Sequence, residues 1–239
     1  MIIWNKKKKI TVDAFTKDEF IASTPIAPTS KYLPDWYKKL KNKHTVNDNG
    51  IILQTPTFKT CDGMLDNIKK SFTIPMWADL YIKVDPQGFY GFKYPGSQYN
   101  YGIEHHGAWQ VANSFDPMMH VKIHSPWILK EKTGVEFYQS QAFYSFNSFA
   151  GECLIPPGVV NYKYQNSTHI NMFLKKDKQY KFDVGMGMMY LHPLTEHDVE
   201  IKTHVIDETE YNKLASNMWP TFEGGYKKNK SKDCPVTGN

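Results

Sequence analysis

From Ile74 to Val84 every even position is apolar (Ile74, Met76, Ala78, Leu80, Ile82, Val84), while the odd positions include Asp79, Tyr81 and Lys83. An alternation of period two is the mark of a strand with one face in a core. "DPQG" then supplies a turn and "FYGFKY" a returning strand. Further strands are expected at 118–124, 135–146, 159–165, 169–175, 180–190 and 199–206. Along 118–124, Met119, Val121 and Ile123 alternate with His120, Lys122 and His124, which assigns the histidines to the polar face of a half-buried strand.

Helical patterns are short and lie near the ends. Thr16 and Glu19 have the spacing of a capping box, and Pro25 must end the helix that they open. "LPDWYKKLK" places Pro34 in a first turn, with Trp36 and Leu40 on one face. A third helix around 62–71 sets Met64 and Leu65 against Ile68. Asp207 and Glu210 form a second capping box ahead of a closing helix lined by Tyr211, Leu214 and Met218. Residues 1–12 read as a solvated edge strand whose lysine run discourages aggregation.

Many antiparallel strands punctuated by turns predict a mainly β protein: an antiparallel β-sandwich or jelly roll, cupin-like, with short N-terminal helices and one C-terminal helix. The expected organisation is an N-terminal strand and short-helix arm over 1–45 and a β domain over 46–206. A C-terminal helix with a lysine-rich tail then covers 207–239. In "VGMGMMY" the two glycines mark a bulge or a close backbone approach, and the Lys-Ser/Thr of a phosphate loop is missing. "GECLIPPGVV" reads as a turn in which Gly158 allows the reversal.

Composition narrows the function. All 29 basic residues are lysine, and the formal net charge is +5. Arginine supplies the planar fork that reads guanine edges, so its absence argues against a sequence-specific nucleic-acid reader, while weak association with polyanions stays open. Cys61, Cys153 and Cys234 are odd in number and widely spaced, which argues against a disulfide framework and a thiolate zinc site. The opening residues lack the charged-then-apolar order of a signal peptide, and no apolar run approaches the roughly 18 residues of a membrane span. A soluble protein of a reducing cytoplasm is expected.

The densest chemistry is "GIEHHGAWQ" at 102–110. If extended, it projects Glu104 and His106 to one face. With a distant histidine, His192 first and His169 in reserve, that pair makes a three-ligand site for Fe(II) or another divalent metal. The order is Glu-x-His, the reverse of the usual oxygenase motif. The alternative is a polar β surface in which Trp109 is a buried anchor and Gln110 satisfies nearby backbone, and the residues favour it. No Gly-x-Ser-x-Gly elbow or partnered cysteine is found. The aromatic residues Tyr90, Tyr94, Tyr99, Tyr101, Phe137, Tyr138, Phe143, Tyr144, Phe146 and Phe149 serve either core packing or a carbohydrate or base-stacking platform.

The segments "ITVDAFT", "LPDWYKKL", "CDGM" leading to "IPMWADL", "HVKIHSPW", "IPPGVVNYKYQ" and "NMFLKK" occur in this order. Together they make the chain resemble a family of uncharacterised proteins of tailed phages, especially large myophages of marine cyanobacteria, from about residue 8 to about residue 206. The resemblance implies a phage origin and a β-rich fold and assigns no catalytic residue. The expected function is therefore a non-enzymatic, protein-binding minor virion or assembly component without a cofactor. Its partners would be other phage proteins or further copies of itself, not a membrane, in the host cytoplasm during infection or in the virion. A cupin-like metal-dependent oxygenase built on Glu104, His106 and His192 is the alternative, and a small-ligand-binding phage countermeasure the third reading.

Overall fold

The computed structural model describes residues 9–95, 102–111, 114–145 and 151–216. In chain order, β1 (Lys9–Thr16) leads to α1 (Glu19–Ala22), β2 (Ala27–Pro28) and α2 (Asp35–Lys39). A hairpin of β3 (Lys43–Asp48) and β4 (Ile51–Pro56) precedes α3 (Asp62–Lys70). Then come β5 (Phe72–Pro75), β6 (Leu80–Val84), β7 (Tyr90–Lys93), β8 (Ile103–His106) and the long β9 (Met118–Lys130). β10 (Glu136–Gln141), β11 (Cys153–Leu154), β12 (Gly158–Asn161) and β13 (Ser167–Lys175) follow. The last elements are β14 (Lys178–Phe182), β15 (Gly187–Pro193), β16 (Asp198–Val205) and α4 (Glu208–Ser216).

The protein is mainly β, as its alternation predicts. One sheet has the order β11-β13-β9-β1-β16, with β8 also on β9; a second has the order β12-β10-β15-β5-β2. A three-stranded sheet β14-β6-β7 and the separate hairpin β3-β4 complete the set. Val12, Val121, Ile123, Ile170 and Met172 of the first sheet share one core with Ile74, Phe137, Val160 and Leu191 of the second and with Ile82 and Phe182 of the third. The two large sheets thus sandwich a common apolar layer, whose burial is the main favourable contribution to folding. Every strand pair among the described residues is antiparallel except β1 with β16, which run parallel.

That parallel pair corrects the reading of the N-terminus. β1 is flanked by β9 on one side and β16 on the other, so it is an internal strand and not a solvated edge. The partner comes from the far end of the chain, and a local lysine count carries no trace of it. Lys9 is ion-paired with Glu200, while the rest of the lysine run, residues 6–8, lies outside the described residues. Nor is 1–45 a separate arm, because β1 and β2 are members of the two large sheets. At the other end α4 begins where the Asp207–Glu210 spacing predicts: the Asp207 carboxylate accepts the Glu210 N–H at 2.8 Å. Tyr211 ties this helix to the body through a hydroxyl bond to the Pro126 carbonyl at 3.1 Å. Met218, the tail lysines, Cys234, Tyr99, Tyr101, Phe146 and Phe149 lie outside the described residues.

Several local readings hold and others shift by physical causes. α1 is capped by Asp18, whose carboxylate accepts the Phe20 N–H at 2.8 Å, so the cap stands two residues beyond Thr16. α2 starts directly after Pro34, and α3 buries Met64 and Ile68 against Tyr37. The alternating run 74–84 keeps its six even side chains in the core but is divided between β5 and β6, which belong to different sheets. Gly187 marks both a register shift in the β15–β5 pair and a close approach: a Cβ there would lie 2.8 Å from Ser145 Oγ.

Candidate functional site

The outward face of β8, β9 and β13 is a grid of polar side chains fixed by strand register. His106, His120 and Phe173 form one cross-strand row, and Glu104, Lys122 and Asn171 the next. His124 and His169 form the third, beside the Gly102 carbonyl that accepts the His124 N–H at 3.0 Å. The opposite face of β9 carries Met119, Val121 and Ile123, all in the core. Period two therefore forces four imidazoles from three strands onto one surface.

Glu104 is the hub of this grid. Its Oε1 lies 2.9 Å from His124 Nε2, and its Oε2 lies 3.4 Å from Lys122 Nζ and 4.0 Å from His106 Nε2. Partial burial pushes the Glu104 carboxyl upward, but His124 and Lys122 together outweigh it and hold the group below its ordinary range. His169, against which the His124 ring packs edge-on at 4.7 Å, is pushed down to about 3, first by burial and then by Lys122 and His124. His120 is lowered by burial and by His106 and His105. Its ring stacks on Phe173 at 4.5 Å, and Phe173 stacks in turn on Phe115 at 4.4 Å. His120 and His169 are thus neutral near pH 7, one donor and one acceptor each.

Glu104 and His106 do share a face, as an extended 102–110 requires. The third expected ligand does not join them. His192 lies on β15 in the other large sheet, where Tyr138 is its cross-strand partner and its Nε2 is 3.3 Å from Ser140 Oγ. Its neighbour Leu191 points into the core, so His192 faces outward from the opposite side of the sandwich and the core separates it from Glu104. The reserve residue, His169, is the one that enters the cluster. For a divalent metal the nearest ligands are Glu104, His124 and His106, but the Lys122 ammonium already neutralises that carboxylate. Among the described residues no three His, Cys, Asp or Glu side chains are arranged to hold one ion.

Trp109 and Gln110 also differ from expectation. β8 ends at His106, and the chain turns through a short 3-10 helix, Ala108–Val111. That turn carries Trp109 out of the strand plane, leaving it 76% exposed and not a buried anchor. Its ring folds back over Gly107, where a Cβ would meet Trp109 Nε1 at 2.2 Å. Gln110 serves a side chain rather than the backbone: its Oε1 is 2.8 Å from His106 Nδ1. Beside the grid lies a cleft of about 760 Å³ whose lining includes Phe89, Tyr90, His105, His106, Phe115 and Phe173.

A second surface was not foreseen. Every residue of β3 and β4 is exposed, and among the described residues the hairpin pairs with no other strand. Register places Val46 opposite Leu53 and Asp48 opposite Ile51, so Val46, Leu53 and Ile51 share one face. Ile52, on the other face, is 72% exposed. The signal was present in the sequence: Asn49-Gly50 is a strong two-residue hairpin turn, and both residues have positive φ, 52° and 85°.

Compared with known proteins, the chain matches no family model and no curated protein.

Proposed function

We propose that the protein is a non-enzymatic, protein-binding component of a phage assembly and that the β3–β4 hairpin is its docking arm. The observation that supports this reading is the arm itself. A two-stranded hairpin is marginal alone in water, and this one presents Ile51, Ile52, Leu53 and Val46 to solvent with neither edge paired among the described residues. Exposed apolar residues on an open-edged hairpin fit a partner that covers them, by strand addition to a neighbouring subunit's sheet together with apolar contact on the Val46–Leu53–Ile51 face. In the histidine grid, the ammonium of Lys122 on Glu104 favours a structural ion-paired surface over a metal-dependent enzyme.

The test is co-sedimentation of the protein with particles from infected cells. The intact chain is expected in the particle fraction, and a chain in which Gly-Gly replaces residues 44–55 is expected in the supernatant. An intact chain that never sediments with particles and stays monomeric at high concentration would end this reading.

A further inference from the structure

The solvent face of the β14-β6-β7 sheet is organised as two cross-strand rows: Lys93, Tyr81 and Lys181, then Gly91, Lys83 and Gln179. All six residues are exposed, while Leu80, Ile82, Val84 and Phe182 on the reverse side are in the core, so the face is backed by a fixed layer. Lys93 Nζ and Lys181 Nζ lie 5.4 and 5.9 Å from the centre of the Tyr81 ring. Gly91, beside Lys83 on the outer strand β7, leaves open space next to that lysine. The result is a shallow depression of about 790 Å³. Phe89, in the turn between β6 and β7, lines it with a ring that is 75% exposed.

We infer that this face binds single-stranded nucleic acid without sequence preference. Charge complementarity names a polyanion. Lys83 and Lys93 form no ion pair among the described residues, and Lys181 adds only part of a third charge because Asp183 lies 2.6 Å away and Asp79 also acts on it. The aromatic groups narrow the polyanion to one with unstacked bases. A base laid on Phe89 gains stacking, whereas a duplex keeps its bases inside and a sulfated polysaccharide has none to offer. Lysine contacts phosphate as a point charge, and the chain has no arginine to supply a planar fork for base edges. Asp85 also lines the depression and brings a negative charge to it; its carboxylate accepts the Phe89 N–H at 2.8 Å and so fixes the turn that presents the ring. This surface is separate from the hairpin arm, and its occupation does not depend on the arm's partner.

The experiment is fluorescence anisotropy of the full chain with a labelled oligothymidylate of about twelve nucleotides, its duplex and heparin, between about 25 and 200 mM NaCl. Two to three phosphate contacts give a log–log salt slope of about −1.4 to −2. Phe89→Ala is expected to weaken oligothymidylate binding about tenfold and leave heparin unchanged, with Phe89→Trp restoring it. Lys83→Gln with Lys93→Gln is expected to weaken both ligands and flatten the slope by about 1.4. Circular dichroism melts confirm that each variant is folded. No oligothymidylate binding at the lowest salt, or binding indifferent to Phe89→Ala and to the double glutamine variant, would overturn the proposal. Heparin or duplex bound as tightly as the single strand would overturn it too, leaving only a polyanion surface.

Discussion

Glu104 Oε1 and His124 Nε2 meet at 2.9 Å across the β8–β9 pair, one step diagonal to the register that sets Glu104 against Lys122. A single carboxylate thereby joins two positions of β9 and holds the short β8, four residues long, to its neighbour. The Glu104 side chain is more than half exposed, which limits the strength of these pairs. Glu104→Gln is accordingly expected to lower stability by about 1 kcal/mol or less in urea unfolding. A markedly larger loss would show that the carboxylate organises the whole grid.

Acid should destabilise the fold well before the carboxylates titrate. His169 is held at about 3, against roughly 6.5 for an unperturbed imidazole. Between those values the unfolded chain binds a proton that the folded chain does not, so stability is full above about pH 6.5 and falls as pH drops, by about 1.4 kcal/mol per pH unit for one proton. His120 and His192 are lowered by burial and act with the same sign. Glu104, held below its ordinary value, adds a further loss at lower pH as it takes up its proton. Urea midpoints at pH 8, 6 and 5 should decline in that order for the intact chain, and less steeply for His169→Gln. Parallel declines in the two proteins would show that His169 is not the group responsible.

The grid was half legible in the sequence, and the reason is physical. Alternation along one strand tells which side chains share a face, so the outward set of His120, Lys122 and His124 follows from the residues alone. Which strands lie beside it depends on register, and that is set by distant parts of the chain. His169 stands on an alternating strand and His192 at the end of a continuously buried one, and only the strand of His169 pairs with β9. For the same reason β1 reads as an edge until β16, nearly the whole chain away, is placed beside it. The β3–β4 hairpin is the opposite case. Its Asn-Gly turn is a purely local signal, and it is masked by strands with almost no alternation because neither face enters the core.

Glu131 closes the β9–β10 turn from inside the protein. The side chain is buried, and its two oxygens accept the N–H groups of Thr133 at 2.5 Å, Gly134 at 2.6 Å and Val135 at 3.1 Å. Glu131→Ala removes all three acceptor contacts at once and leaves the buried Val135 N–H and the half-buried Gly134 N–H without this partner. A loss of about 2–4 kcal/mol in chemical unfolding is expected. Glu131→Gln keeps one acceptor oxygen and should lose less. Equal losses in both variants would mean that charge, rather than the three bonds, accounts for the effect.

The arm allows binding and folding to be separated. None of the residues in β3 and β4 is buried, and among the described residues neither strand joins another sheet. Among the described residues its anchors are at its base: the Thr57 N–H donates to the Asn42 carbonyl at 3.0 Å, Thr57 Oγ1 donates to the Lys41 carbonyl at 2.5 Å, and Lys59 Nζ reaches the Lys38 and Leu40 carbonyls, each at 3.1 Å. Replacing Val46, Ile51 and Leu53 by threonine keeps β propensity and leaves those anchors in place, so the isolated protein should change in stability by no more than about 0.5 kcal/mol. The same variant should lose its place in the particle fraction, because the apolar face that a partner covers has become polar. A large fall in stability of the isolated chain would instead assign these side chains to the protein's own fold, and the arm would then be no docking element.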